Sequence, residues 1–171
     1  HHSPSHPLPP ARQGYKMKDE GYMSFQNYMS FQNGDRKEGG IRTAVELWCT
    51  DPAAAKAQYG PIASWDTSEI TDMNSLFSNR ANFNGDISRW DVSSVTNMAW
   101  TFGGATSFNG DLSQWDVSNV ANMSGMFANA TSFTHQLGGA WSTSTAINAC
   151  MFNNCPGSIA GKTNNANGTP E

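Results

Sequence analysis

Aspartate residues recur at a fixed interval in the middle of the chain and are its best candidates for binding a metal ion. Asp86 and Asp111 lie 25 residues apart, and Asp66, Asp91 and Asp116 are spaced in the same way. Carboxylates stacked once per repeat would form rows of oxygen ligands of the kind that hold Ca²⁺. Each Asp also precedes a serine by two positions, a pattern typical of turns and caps closed by local hydrogen bonds. We favour this local role and predict no metal and no cofactor.

Two further stretches have the composition of chemical sites. His1, His2 and His6 could chelate a transition metal, although a loose cluster at a chain end is more often adventitious. The stretch PGSIAGKT at 156–163 has Pro156 where a phosphate-binding loop requires glycine, and no strand pattern precedes it. The sequence has no HExxH, no GxSxG and no paired CxxC motif. We therefore predict that the protein is not an enzyme.

The three cysteines allow at most one internal disulfide. Cys150 and Cys155 lie five residues apart, and a disulfide between them would suit an oxidising compartment. The alternative is a small buried thiol at each position. Cys155 follows Ala130 by 25 residues and so falls on a small-residue position of the repeat. Both alternatives stay open.

Charge and hydropathy limit the class of partner. The 171 residues include 14 acidic and 10 basic side chains, for a net charge of −4, whereas nucleic-acid binding needs a clustered basic surface. No apolar run approaches the roughly 18 residues of a membrane span. The sequence starts without Met and without a signal-like apolar stretch, so we expect a processed form or a fragment whose address is hidden.

The aspartates belong to a unit that repeats along the chain. FNGDISRWDVSSVTNMAWTFGGATS at 83–107 is followed by FNGDLSQWDVSNVANMSGMFANATS at 108–132, with a weaker copy before them and a decaying copy after. A fixed period of this length is typical of a solenoid, whose units bury their apolar faces against their neighbours. The predicted core consists of the recurring tryptophans, methionines and phenylalanines: Trp65, Trp90, Trp115, Met73, Met98, Met123, Phe77, Phe102 and Phe127.

Each unit is predicted to combine a short strand with a short helix. Ile87 to Trp90 is the best strand candidate, and Asp91 or Ser93 could cap a helix over 95–103 that the following glycines end. The predicted fold class is therefore an α/β repeat solenoid of about four 25-residue units.

Four regions are predicted along the chain. Residues 1–40 form an extended Pro-rich and aromatic tail. Residues 41–60 form a helical cap, with one apolar helix face after Ile41 and a second helix starting at Asp51-Pro52. Residues 61–155 form the solenoid and residues 156–171 a polar C-terminal tail.

The pattern F-N-G-D-[IL]-S-x-W-D-V-S-x-V-x-N-M-x-x-x-F-x-x-A resembles the BspA-like leucine-rich-repeat family, also known as DUF285 or the mycoplasma-type lipoprotein repeat. The resemblance covers about residues 41–154, and the run AVELW…YG is similar to the lead-in of members from microalgae and other protists. It implies a leucine-rich-repeat-like, right-handed solenoid on a secreted, surface or organellar protein that binds other proteins. It brings no catalytic residues. The fourth unit and the long N-terminal tail depart from the pattern.

Partner contacts are predicted in two places. The tail duplicates the hexapeptide YMSFQN, whose apolar side chains suit an anchor on a partner or on the flank of the solenoid: Tyr22, Met23, Phe25, Tyr28, Met29 and Phe31. Within the repeats Arg80, Arg89 and Trp100 break the pattern, and Arg and Trp are common hot-spot residues. Trp100 either takes over the core role of the adjacent Thr101 or projects from the surface.

These features predict a non-enzymatic scaffold that binds other proteins and no nucleic acid. We expect a linker or peripheral subunit of a large assembly, which in an alga could be a thylakoid-associated photosynthetic light-harvesting supercomplex. The assembly itself could be membrane-bound, although the chain has no transmembrane segment. The alternatives are a secreted or cell-surface adhesin and an ice- or carbohydrate-binding solenoid. The last fits the abundant Thr, Ser and Asn residues but lacks a strictly repeated Thr-x-Thr rank.

Overall fold

The computed structural model describes residues 12–14, 28–31 and 40–171. The elements in chain order are β1 (Arg12–Gly14), β2 (Tyr28–Ser30), α1 (Ile41–Thr50), α2 (Pro52–Tyr59), a 3₁₀ turn (Ile62–Ser64), β3 (Gln136–Leu137), α3 (Ala140–Thr143) and β4 (Ser158–Ile159). β1 and β2 pair antiparallel, and β3 and β4 pair parallel. The fold is thus mostly irregular, with few helices, a short parallel sheet and an extensive buried aromatic core. Within the described residues no helix has the length and apolarity that a membrane crossing requires.

The two predicted helices before the repeats are confirmed. α1 buries Ile41, Ala44 and Val45 on one face. The Asp51 side chain caps α2 by accepting a hydrogen bond from the Ala54 N–H at 3.0 Å, and a proline takes the first helical position. α2 ends before a glycine with a φ of 76°, in the left-handed region that glycine tolerates best.

Four matching segments of the repeats lie side by side, and we call them strips 1 to 4: residues 72–79, 97–104, 122–129 and 147–154. Parallel bridges join the first residues of successive strips. Alternate N–H groups of strips 1 to 3 donate to carbonyls of the next strip at 2.6–2.9 Å, as Phe77 N–H does to Thr101 O. The N–H groups between them close turns within the strip, as Leu76 N–H does with Met73 O. Each strip is therefore a run of turns hydrogen-bonded to its neighbour.

The strips correct the predicted secondary structure of the repeat. The predicted helix over 95–103 is wrong, because the N–H groups of strip 2 bond to strip 3 and to turns instead of forming a helical ladder. The predicted strand from Ile87 to Trp90 is also wrong, because Trp90 N–H closes a turn onto Ile87 O at 3.1 Å. The physical reason lies in the backbone. The fourth residue of every strip has a φ of 55–61°, which interrupts any helix: Ser75, Trp100, Gly125 and Cys150.

The core consists of aromatic and methionine side chains stacked once per repeat. All nine residues predicted to form it are buried. The rings of Phe77, Phe102 and Phe127 lie 5.4–5.5 Å apart, and Phe152 continues the row. The tryptophans also tie units together by hydrogen bonds, a role that burial alone did not predict. The indole N–H of Trp115, for example, donates to Ile87 O of the preceding unit at 3.1 Å.

Both ends of the set of strips are covered by other parts of the chain. In strip 1 the Asn74 carbonyl accepts a hydrogen bond from Arg42 Nη1 of α1 at 2.8 Å. At the other end, Phe152 N–H donates to Gly168 O at 2.8 Å, and Cys150 N–H donates to Thr169 Oγ1 at 2.9 Å. The prediction of a C-terminal tail over 156–171 was therefore wrong. This segment folds because it supplies acceptors for the last strip and the partner strand for β3.

Candidate interaction surface

Trp100 is the most unusual outward residue of the strips. Its φ of 58° lies in the left-handed region, which is rare for a bulky side chain. The equivalent residues of the other strips are small: Ser75, Gly125 and Cys150. The Trp100 side chain is 45% exposed. Strip 2 thus places a large aromatic ring on the surface at a position where its backbone conformation is unfavourable.

The ring of Trp100 rests on two glycines. A Cβ added to Gly125 would lie 2.5–2.8 Å from Cε2, Cδ2 and Cζ2 of the indole, and one added to Gly103 would lie 2.7 Å from Cε3. One face of the indole is therefore held flat against the backbone, which is possible only because both residues lack side chains. The exposed area accordingly belongs to the opposite face and the edge of the ring.

Thr101 shows why Trp100 is not needed in the core. It stands at the position of Leu76 and Met126 and is buried like them. Its Oγ1 lies 2.8 Å from Met98 O and 3.0 Å from Met73 O, so the buried hydroxyl has hydrogen-bond partners. Of the two predicted roles for its neighbour, the structure shows the exposed one.

Arg80 lines a separate cleft of about 570 Å³ beside α1. Trp48 and Cys49 form one part of its wall, and asparagines at 79, 82 and 84 contribute to the rest. Burial raises the pKa of Cys49 although the Arg80 guanidinium favours its thiolate. The thiol therefore stays protonated and is a poor nucleophile. Among the described residues that line the cleft, neither Trp100 nor Arg89 occurs, so the three predicted contacts do not form one site.

Arg89 is exposed in the turn that follows Asp86. Oδ1 of Asp86 accepts hydrogen bonds from Ser88 Oγ at 2.6 Å and from Ser88 N–H at 3.1 Å. The Ser88 hydroxyl first, then the Ser88 N–H and to a lesser degree Arg89, hold the pKa of Asp86 below its ordinary value. Asp86 is thus occupied by its own turn.

The other aspartates of the rows are used in the same way. Each accepts a hydrogen bond from the N–H of the serine two residues later: Asp66, Asp91, Asp111 and Asp116. Within the described part of the chain, no group of three or more His, Cys, Asp or Glu side chains could hold a metal ion. The rows therefore support the local interpretation, in which the carboxylates close turns.

The cysteines, all in the described ranges, are free thiols. Of the two predicted alternatives for Cys150 and Cys155, the structure therefore has separate thiols and not the disulfide. Cys150 takes the outward position of strip 4, whereas Cys155 packs against the core with Sγ 3.6 Å from Phe133 O. Burial raises the pKa of Cys155 to about 11, which makes this thiol unreactive at neutral pH.

The duplicated hexapeptide contacts the body of the protein through Phe31. Its ring is fully buried, with its centroid 4.9 Å from that of Trp65 and 5.7 Å from that of Tyr59. Its N–H donates to Asp66 O of the first unit at 3.0 Å. Phe31 of this copy therefore docks on the flank of the repeats, one of the two predicted alternatives.

The other predicted tail residues lie partly outside the described residues. Tyr28 and Met29 belong to β2, of which the backbone is described. The remaining contact candidates, Tyr22, Met23 and Phe25, lie outside the described residues, as do the N-terminal histidines. Their proposed roles stay predictions.

Ile147 is an exposed residue that was not predicted from the sequence. It is 64% exposed at the start of strip 4, where the other strips have Asp72, Asn97 and Asn122. The available signal was similar to that for Trp100, because a large apolar residue stands where the other strips have small or polar residues. The sequence alone did not show that this position faces outward.

Comparison with known proteins gives one family. The sequence model described as "Mycoplasma protein of unknown function, DUF285" matches residues 51–164, which include α2 and all four strips. No curated protein and no solved structure matches the chain.

Proposed function

The chain belongs to the DUF285 family, and on this basis we propose that it is a BspA-like protein of the microalgal or protist type that binds other proteins. We further propose that it forms a short right-handed solenoid and catalyses no reaction. The hydrogen bonds that join strips 1 to 4 at a constant residue interval support the solenoid, because each unit contacts the next in the same way. The handedness comes from the family resemblance.

The docking of Phe31 carries the proposal of protein binding. A segment from outside the repeats is held by one aromatic side chain in a pocket and by a main-chain hydrogen bond to the first unit. Many proteins recognise extended peptides by this combination, in which main-chain bonds give affinity and side-chain pockets give specificity. The first unit therefore has the chemistry of a peptide-binding surface.

Duplication of the hexapeptide suggests how one chain could join two bodies. The copy at Tyr28–Asn33 includes Phe31, and the identical copy at Tyr22–Asn27 includes Phe25. One copy suffices to dock the segment on its own repeats. We propose that the other anchors the protein to a partner, as expected of a linker or peripheral subunit. The photosynthetic light-harvesting supercomplex of an alga is the specific assembly that we propose.

Phe25→Ala and Phe31→Ala form a matched pair that tests this division of roles. F31A removes a buried ring and should lower the free energy of unfolding by about 3 kcal/mol. F25A should leave unfolding unchanged and abolish co-purification of the partner with the tagged full-length chain from its native host. Retention of the partner by F25A in stoichiometric amount would contradict the anchor role.

The identity of the captured material separates the linker from the adhesin. A stoichiometric membrane-bound or organellar complex supports the linker. Recovery of the native chain as a free monomer argues against the linker. Capture of the chain on extracellular matrix proteins, with F25A bound as well as the wild type, also argues against the linker. The second of these results would favour the adhesin.

A further inference from the structure

The outward side of strips 1 to 4 is almost free of charge. Asp72, at the border of strip 1, is the only ionisable acid or base among Asp, Glu, Lys, Arg and His in the four strips. Its Oδ1 accepts a hydrogen bond from Asn74 N–H at 2.8 Å. The other exposed polar side chains carry amides or a hydroxyl: Ser75, Asn79, Asn129, Asn153 and Asn154. We call this surface the neutral face.

Trp100 lies within this neutral face as a flat platform. Because its inner side rests on Gly103 and Gly125, the free side of the indole is parallel to the surface and open to a ligand. Some amides of the neutral face have fixed orientations, since Asn154 Nδ2 donates to Asn129 Oδ1 at 3.1 Å. The face thus offers one aromatic plane bordered by neutral hydrogen-bonding groups.

We propose that the neutral face binds an uncharged carbohydrate, with one pyranose ring stacked on Trp100. A sugar ring has an apolar C–H side that can pack on an indole, and a periphery of hydroxyls that amides and hydroxyls can bind as donors and acceptors. Apart from Asp72 and the Arg42 guanidinium, both at strip 1, the strips bring no charge to the face, which matches a ligand without phosphate, sulfate or carboxylate. This role is additional to the proposed protein binding and does not depend on it.

The backbone of Trp100 supports a ligand-binding role for this residue. All four strips have a left-handed backbone at this position, so the fold sets the conformation, and a bulky side chain is disfavoured there by sterics. The other strips use smaller residues there, and Thr101 already fills the adjacent core position. The fold therefore does not require an aromatic residue at this place.

The surroundings of Trp100 favour a carbohydrate over a protein partner. A protein hot spot is usually enclosed by further contacts that exclude water. Ile147, the other large exposed hydrophobic residue of the described structure, lies two strips away, roughly 10 Å across the strips at the usual strand spacing, and three positions earlier in its strip. The residues between are small or polar. On so open a face a single sugar binds weakly, so a polymer that presents many sugars is the suitable probe.

Native gel electrophoresis through neutral polysaccharides tests the proposal directly. The probes are soluble starch, a β-1,3-glucan, hydroxyethylcellulose and a galactomannan, each cast into the gel. We expect at least one of them to retard the full-length chain. Trp100→Ser introduces the residue that strip 1 has at the same position. It should raise the apparent dissociation constant obtained from the retardation about tenfold, as expected for loss of a main contact. Binding to the immobilised polymer should persist in about 1 M NaCl, because no charge is involved.

Two matched variants make the result specific. Ile147→Asn introduces the residue of strips 2 and 3, and Arg89→Gln changes an exposed residue outside the strips; both should bind as the wild type does. Thermal unfolding of all variants verifies the fold. Lack of retardation by every polymer, or equal retardation of W100S, overturns the proposal. Loss of a co-purifying protein from both W100S and I147N, without polysaccharide binding, also overturns it and assigns the face to a protein.

Discussion

Two columns of side chains cross the same four strips and differ in almost every respect. The inner column repeats one residue type: Phe77, Phe102, Phe127 and Phe152. The outer column, two positions earlier, changes in each strip: Ser75, Trp100, Gly125 and Cys150. The backbone of the outer column is nonetheless uniform, with φ between 55° and 61°. Repetition of a residue type therefore reports packing against the neighbouring unit, and its absence marks positions that the fold leaves available for another use.

The strongest test of this comparison is a cavity in the inner column. Phe102 stacks between Phe77 and Phe127 and also lies 4.1 Å from the ring of Phe108. Phe102→Ala should lower the free energy of unfolding by about 3–5 kcal/mol, measured by urea denaturation. Cys150→Ser, in the outer column, is the control and should change it by less than about 1 kcal/mol. Equal losses would show that the two columns do not differ energetically.

Gly125 is the outer residue for which we expect the largest effect. Gly125→Ala places a Cβ against the Trp100 ring and removes glycine from a φ of 61°. The expected loss is about 1–3 kcal/mol. In the double variant with W100S the collision with the ring disappears, but alanine still has to adopt a positive φ. The loss of unfolding free energy should therefore be smaller than the sum of the two single effects. Strict additivity in denaturation experiments would contradict the contact between ring and glycine.

W100S on its own should affect stability little. The substitution removes a half-exposed ring and places serine where strip 1 already has Ser75 with a φ of 56°. We expect the free energy of unfolding to change by less than about 1 kcal/mol. The melting temperature of W100S should equal or exceed that of the wild type. A loss comparable with that of F102A would mean that Trp100 belongs to the core in energetic terms.

The aspartate turns refine the comparison, because they are both exposed and repeated. The Ser88 hydroxyl is the main cause of the low pKa of Asp86, whereas the Ser113 N–H is the main cause for Asp111. Ser88→Ala should therefore raise the pKa of Asp86 more than Ser113→Ala raises that of Asp111, as measured by NMR titration. Equal shifts in the two variants would contradict this assignment.

The pH dependence of stability follows from the direction of these shifts. A carboxyl whose pKa is lower in the folded state stabilises the fold above its ordinary pKa, and this contribution is lost as the pH falls through the folded value. The melting temperature should thus decline below about pH 4, near the ordinary pKa of Asp. The decline should be slightly smaller in S88A, because less of the stabilisation depends on the charged form.

The composition of the repeat was sufficient to predict its buried side chains but not its backbone. The core could be read because Trp, Met and Phe return at equal intervals and each has one stable place in a stack. The left-handed residues were not recognisable, since three of the four outer positions hold Ser, Trp or Cys instead of glycine. A helix was therefore predicted where the chain makes successive turns.

Polar segments were the second source of error. Residues 156–171 look like a tail because their main contribution, carbonyl and hydroxyl acceptors for strip 4, does not depend on apolar side chains. Phe31 was recognised as an anchor from its aromatic context, but its docking place depends on Tyr59 and Trp65, which are distant in sequence. Pairings of this kind cannot be deduced from local pattern.

The direction of the hydrogen bonds between strips gives the molecule two chemically opposite ends. Strip 1 presents carbonyls and strip 4 presents N–H groups, so the ends of two molecules are complementary wherever Arg42 or Gly168 does not cover them. A contact of that kind is heterologous and does not close on itself, which is the geometry of a growing fibre. A Cβ at Gly168 would collide with the backbone of strip 4. The C-terminal segment occupies N–H groups of strip 4 and so covers the edge on which such a contact would form.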